Sequence, residues 1–257
     1  MIVRSVVKSL LPPAIRTSGK RKLVKFLLGH EPHGLTFASN GEDSILNYLF
    51  AFKSDGFFVD VGAFHPIVAS NTYLFYLKGW RGISIDARPG SMSAFRKVRS
   101  QDTNLELAIS NTSEELSYYL VDDGQSPMNS FSKEFIQYLH IEGAVTGEIK
   151  IPTTPLARVL SEHVPPKRAI DFFTIDVEGM EVRVLRSNDW RKFRPKVVMV
   201  ESFDGLSSAL LESDLVTTLA NEDYRPIVKT TNEIVFLDNA YALSTVGQIL
   251  LDKTLTS

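Results

Sequence analysis

The chain has 257 residues, of which 44% are hydrophobic and 23% charged, and a formal net charge of −2. These values suit one large α/β domain, or one domain with an appendage, and they exclude a nucleic-acid binder that works through overall charge. The absence of cysteine excludes disulfides, thiolate metal sites and cysteine nucleophiles.

The N-terminal segment is basic. Arg4, Lys8, Arg16, Lys20, Arg21, Lys22 and Lys25 all precede the first acid, Glu31. Residues 1–36 are expected to form an arm with helices near Val3–Leu11 and Lys20–Leu28, in front of one larger domain over residues 37–257. The arm reads as a solvated helical segment, as a peripheral contact of residues 1–30 with an anionic membrane or lipid-linked substrate, or as an oligomer contact. Nothing in the sequence sets the oligomeric state. No apolar run reaches the roughly 20 residues that span a bilayer. Pro12-Pro13 also cuts the N-terminal apolar stretch short of a secretory signal, so a cytoplasmic protein is expected.

Gly41-Glu42-Asp43 opens a helix over Ser44–Phe52, with its acids in the first turn, where they suit the helix dipole. Phe57–Val61 is the first central strand and Asn71–Lys78 a helix. Gly82–Asp86 is the second strand, Ser91–Val98 a helix and Leu105–Ile109 the third strand. Glu115–Val121 alternates and suits an added strand or hairpin. The polar segment Asp122–Ser132 is long for a plain connection and reads as a lid or substrate loop. A short helix over Phe135–His140, a strand over Glu148–Ile151 and a helix over Pro155–His163 follow. Ile170–Val177 is the fourth central strand, and a helix begins at Met180–Leu185. Val197–Glu201 is the fifth strand and Leu206–Asn221 an amphipathic helix. Arg225–Lys229 and Glu233–Leu237 form a hairpin about Thr230–Asn232. The alternation implies a doubly wound α/β sheet, mostly parallel, with one reversed strand in the C-terminal hairpin.

Open α/β sheets bind ligands at the carboxyl edge of their strands, and this is where the acids fall. Asp60 closes the first strand just ahead of Gly62, and Asp86 closes the second. A dinucleotide site would want G-x-G-x-x-G, but Phe64 and Pro66 stand where the second and third glycines belong. That argues against a nicotinamide oxidoreductase. Asp60 instead suits a ligand with a cationic amino group, such as S-adenosylmethionine, whose carboxylate would meet the nearby amides. Asp86 suits acceptance from two ribose hydroxyls.

The fourth strand ends in Asp176, Glu178 and Glu181, and Glu201 ends the fifth. Buried carboxylates are costly unless paired. Asp176 can act as a general base toward a substrate hydroxyl, or Asp176 and Glu201 can hold a divalent cation such as Mg2+. Glu178 and Glu181 have the alternative of capping the helix that follows. His65, directly after the glycine turn, is a further candidate proton acceptor. A non-catalytic module that binds a glycan or a protein partner is the other reading of the same fold.

These residues resemble the FkbM family of S-adenosylmethionine-dependent methyltransferases. The resemblance runs from Gly41 to Leu237 through Gly41-Glu42-Asp43-Ser44-Ile45-Leu46, Phe58-Val59-Asp60-Val61-Gly62-Ala63, His65-Pro66, Ser70-Asn71-Thr72-Tyr73 and Gly79-Trp80-Arg81-Gly82-Ile83. Its last block is Asp171 through Glu181, similar to the family's aspartate, any residue, glutamate, glycine, any residue, glutamate pattern. The resemblance implies a Rossmann-like methyltransferase domain that O-methylates hydroxyls, commonly of sugars in glycans, glycolipids or natural products. It also implies that Asp60, Gly62 and Ala63 line the methionine part of the cofactor, with Phe64 beside them at a place often polar in the family. By the same carry-over Asp86 holds the ribose, Ala108 and Ile109 flank the adenine, Glu42 folds over the cofactor, and Asp176 and Glu178 face a small-molecule or glycan acceptor.

Overall fold

The computed structural model describes residues 35–51, 53–204 and 208–244. The chain divides into two units, Met1–Thr36 and Phe37–Ser257. The expectations for the basic arm fall outside the described residues, as does Phe52.

The second unit is built on a seven-stranded sheet. Its strands are β1 (Phe57–Val61), β2 (Arg81–Asp86), β3 (Thr103–Glu106), β7 (Phe172–Ile175), β8 (Val197–Glu201), β9 (Tyr224–Lys229) and β10 (Glu233–Asp238). They lie in the order β3-β2-β1-β7-β8-β10-β9. Neighbours pair in parallel except β10, which runs antiparallel to both β8 and β9. The expected mostly parallel sheet with one reversed strand is therefore the observed one, and β7, the fourth central strand, lies against β1.

Strands buried on both faces must be apolar on both, and β1, β7, β8 and β10 are. Phe57, Val59, Val61, Phe173, Ile175, Val198, Val200, Ile234 and Phe236 pack on one face. Helices α5 (Leu156–His163), α6 (Glu181–Arg186) and α8 (Asp214–Asn221) cover that face. Phe58, Phe172, Val197, Met199, Val235 and Leu237 pack on the other, with α1 (Glu42–Leu49), α2 (Tyr73–Leu77) and α9 (Asn239–Ala242). Helix α3 (Met92–Val98) completes the winding beside β2 and β3.

A smaller three-stranded sheet holds β4 (Ala108–Ile109), β6 (Val145–Thr154) and β5 (Glu115–Val121). The expected third strand Leu105–Ile109 is thus two strands in two sheets. The chain passes from one to the other at Leu107, whose N–H donates to the Asp86 carbonyl at 3.1 Å. The expected Glu148–Ile151 is the middle of the ten-residue β6, exposed on alternate residues, which pairs antiparallel with β5. The helix expected over Phe135–His140 starts earlier, as α4 (Lys133–Tyr138), because the Ser132 side chain caps it by accepting from the Phe135 N–H. Leu206–Asn221 is not one helix. A short α7 (Ser208–Leu211) ends before Ser213, whose side chain accepts from the Val216 N–H and starts α8 afresh. Among the described residues no helix is long and apolar enough to cross a membrane.

Asp171 fixes the far edge of the sheet. It is 1% exposed and accepts from the Phe57 N–H at 3.0 Å, from Lys196 Nζ at 2.9 Å and from Lys53 Nζ. It clamps the starts of β1 and β7 together, so their carboxyl ends arrive side by side.

Candidate functional site

Those ends form the floor of a cavity of about 230 Å³. Its wall carries Gly62 and Phe64 from the β1 turn, Asp86 and Arg88 from the end of β2, and Leu107 and Ile109 around the start of β4. Tyr118 of β5, the segment Ser126–Asn129 and Phe131 close one side. Asp176, Glu178 and Glu201 stand at the ends of β7 and β8. The predicted lid is therefore part of the cavity wall.

The turn after β1 is held by its own backbone. The N–H groups of Gly62 and Ala63 both donate to the Ile85 carbonyl at 2.9 Å. The Phe64 N–H donates to Asp86 Oδ2 at 2.8 Å. These amides are already engaged, so the expected use of them for a ligand carboxylate does not match the geometry. Gly62 and Phe64 shape the cavity instead. Ala63 packs away from it against Met92 and Phe95. Ala108 is buried behind Ile109, and Ile109 alone of that pair reaches the cavity.

Asp86 is held where the sequence put it, on the ligand edge. Its Oδ1 accepts from the Arg88 N–H at 2.8 Å, and Oδ2 takes the Phe64 N–H. Burial raises its pKa against these bonds. A carboxylate offers about four lone-pair sites, so beside these two amides and the Ser91 hydroxyl there is still capacity for a ligand hydroxyl. The Arg88 guanidinium donates to the Phe64 carbonyl at 3.0 Å and to Gln125 Oε1 at 2.6 Å, and stacks over the Phe64 ring. It ties the glycine turn to the lid.

Asp60 takes another direction. It stands on the face of β1 that carries Phe58 and does not line the cavity. Its Oδ2 accepts from the Thr72 hydroxyl at 2.6 Å, and Thr72 Oγ1 in turn accepts from fully buried Arg99 at 2.8 Å. Arg99 is neutralised by Asp102 at 2.8 Å. Burial raises Asp60 to about 6, outweighing the pull of Arg99 and the Thr72 bond. One oxygen of the acid is thus engaged by the protein's own hydroxyl, with the Arg99 charge beyond it. No sequence signal linked Arg99 to it.

His65 likewise faces its own loop. Nδ1 accepts from the N–H groups of Ile67 at 3.1 Å and Val68 at 3.0 Å. An accepting Nδ1 is an unprotonated one, and partial burial followed by the charge of Arg88 lowers the ring's pKa. His65 does not line the cavity, so the expectation of a base there gives way to a turn-capping role. Glu42 is buried at the start of α1. Its Oε2 accepts from the Asn40 N–H at 2.8 Å, while its Oε1 has no partner.

The acids at the ends of β7 and β8 do converge. Asp176, Glu178 and Glu201 each offer a carboxylate oxygen within 4.8 Å of those of the other two. The Asp176 N–H donates to the Val61 carbonyl at 2.9 Å, which fixes the crossing of β7 over the glycine turn. Glu178 sits at φ 54, a conformation that side chains avoid, followed by Gly179 at φ 94. Ser130 holds it there by donating to its carbonyl at 2.5 Å, a tie from the lid that no sequence signal announces. Glu181 is the helix-capping acid of the group, since its Oε1 accepts the N–H groups of Val177 and Gly179 at 3.1 Å. Burial raises Asp176 to about 6, with Glu42 and Asp86 adding to it against a bond to Glu201. Burial, then the charges of Asp176 and Glu181, raises Glu178 to about 9. Glu201 is pushed up by burial and by the same neighbours.

The cavity chemistry fits a nucleoside with an attached donor group. Asp86 has free acceptor capacity for a ribose, and Leu107, Ile109, Pro127 and Met128 offer apolar walls to a flat base. Comparison with known proteins bears on the same region. No curated protein matches the chain. Solved structures to which the chain is similar at low identity include three methyltransferases or possible methyltransferases. One is the precorrin-6y C5,15-methyltransferase from Geobacter metallireducens GS-15, with 10% identity over 78% of this chain and 90% of that one and a TM-score of 0.41. Another is an O-methyltransferase from Bacillus cereus in complex with SAH, with 10% identity over 92% and 96% and a TM-score of 0.40. The third, described as a possible O-methyltransferase from Klebsiella pneumoniae, has 11% identity over 92% and 95% and a TM-score of 0.36. The family model of the methyltransferase FkbM domain matches residues 60–226, from the acid of β1 into β9. With that span covering well over half of the sequence, the chain belongs to the FkbM-domain family of S-adenosylmethionine-dependent methyltransferases.

Proposed function

We propose that this protein methylates a hydroxyl oxygen of a small-molecule acceptor, the acceptor being a sugar of a glycan, glycolipid or glycosylated natural product. The observation that carries the reading is the sharing of one cavity by Asp86 and by Asp176, Glu178 and Glu201. Asp86 would accept from the ribose hydroxyls, and Leu107 and Ile109 would flank the base. Bound S-adenosylmethionine supplies an activated methyl group.

The chain's own task is then to position the acceptor and manage one proton. Positioning by itself can supply several kcal/mol. Asp176 keeps part of its surface open to the cavity and would receive the acceptor hydroxyl. Glu178 and Glu201 behind it, whose burial favours their protonated forms, would leave Asp176 as the group that takes the proton. The segment Asp122–Ser132, tied down through Arg88 and Ser130, would exclude water and admit the acceptor along Phe131 and Tyr118, whose ring centroids lie 4.6 Å apart.

Incubation with methyl-labelled S-adenosylmethionine and a panel of sugar-bearing acceptors is expected to give a product labelled on oxygen, recognised by its methoxy NMR signal. Label on nitrogen or carbon would contradict the hydroxyl assignment. Label on hydroxyls of compounds without a sugar would contradict the acceptor class.

A further inference from the structure

We infer that Asp176, Glu178 and Glu201 form the binding site of one hard divalent cation, of the Mg2+ or Mn2+ type, at the acceptor end of the cavity. The inference deepens the methyltransferase reading and rests on it for the role of the cation, though not for its binding.

Proximity of acids alone does not make a site. What singles out this one is that, although Asp176 and Glu201 bond to each other, buried carboxyl oxygens in it and behind it accept no hydrogen bond. Glu178 is 7% exposed, Glu201 6% and Glu233 4%. In each, Oε2 is buried and accepts no hydrogen bond. Glu233 was not singled out by the sequence, yet it pairs directly with Glu201 across β10 and β8. Opposed residues of an antiparallel pair stand on one face, so Glu233 sets a further buried carboxyl beside Glu201. Such like charges side by side are destabilising, and ionising a buried carboxyl that has no partner is costly.

The protein answers this charge only at a distance, through Lys229. Among the described residues no lysine or arginine forms an ion pair with Asp176, Glu178, Glu201 or Glu233. The nearby ammonium group of Lys229 instead donates to the carbonyls of Ser202 at 2.8 Å and of Thr230 and Thr231 at 3.1 Å. Contrast Asp171 at the other end of β7, which is as deeply buried but takes two lysines.

Oxygen-only ligands select hard cations over zinc or copper. Oxygens within 4.8 Å of one another suit one ion with metal–oxygen bonds of roughly 2.0–2.6 Å. Three carboxylates do not fill six positions, so the others fall to water and to the acceptor's oxygens. A cation there would lower the cost of removing the hydroxyl proton.

The test is a titration of the full-length protein, stripped with EDTA and dialysed, with MnCl2 alone, read by the loss of the free Mn2+ EPR signal. One saturable site per chain is expected. Affinity should fall at least tenfold in Glu201→Gln, and should be unchanged in Glu162→Gln, whose acid lies on the exposed face of α5. Mn2+ should also raise the melting temperature of the wild type and leave that of Glu201→Gln unmoved. Absence of Mn2+ binding by folded wild-type protein, or equal binding by Glu201→Gln, would overturn the inference. S-adenosylhomocysteine binding measured on the same samples separates the two readings. Its loss with Mn2+ binding intact counts against the methyltransferase site alone, and its presence without Mn2+ binding counts against the cation alone.

Discussion

Gly62→Ala is expected to destabilise the protein by more than about 4 kcal/mol, the range in which single substitutions prevent folding outright. Gly62 lies at φ 89, and a Cβ placed on it would stand 1.5 Å from the Asp176 carbonyl oxygen and 2.6 Å from its carbonyl carbon. Both obstacles are main chain, so no side chain can rotate aside. Nor can the backbone retreat easily. The Gly62 N–H is bonded to Ile85, and the Asp176 N–H to Val61. Relief would part β1 from β7 at the floor of the cavity. Gly143→Ala is the control, with open space around it and no positive φ, and should stay within about 0.5 kcal/mol of wild type. Thermal unfolding followed by circular dichroism checks the pair. Equal melting temperatures for the two variants would mean that the β1 turn and the end of β7 do not meet as described.

The second large effect concerns activity. Asp176→Asn should lower methyl transfer by roughly 10²–10⁴-fold, the usual yield of a group that handles the reacting proton. S-adenosylhomocysteine should still bind, because Asp86 and the apolar walls are untouched. In chelator-treated protein the same variant is expected to melt higher than wild type. It removes the buried carboxylate whose charge pushes up Glu178 and Glu201, and keeps the shape of the side chain. Stability gained where activity is lost marks a site strained for its task. A merely structural Asp176 would show the reverse, a lower melting temperature with transfer little changed.

Much of this was legible in the sequence because it is local. Apolar runs such as Phe57–Val61 and Val197–Glu201 announce strands buried on both faces, and their terminal acids fall on the edge where such sheets bind ligands. Asp86, Asp176, Glu178 and Glu201 all reach the cavity from that reasoning. What stayed hidden depends on partners distant in sequence. Asp60 reads like a ligand acid until Thr72 and Arg99 are seen beneath it. His65 reads like a base until its Nδ1 is found capping its own loop. Glu233 reads as the start of an ordinary strand, and only the antiparallel register with Glu201 brings it to the acids. Ser130 and Arg88 are ordinary polar residues in sequence, and matter because the lid folds back onto the glycine turn and the β7 loop. Helix breaks are equally quiet: one serine, Ser213, divides what the hydrophobic pattern presents as a single helix.

The most direct test of the account is a calorimetric titration of the purified chain with S-adenosylhomocysteine, with NADH in parallel. Saturable micromolar binding at one site per chain, weakened at least tenfold in Asp86→Ala, with no heat from NADH, is the predicted result. Binding that is unaffected by Asp86→Ala, or saturable binding of NADH in its place, would contradict the assignment of this cavity as the cofactor site.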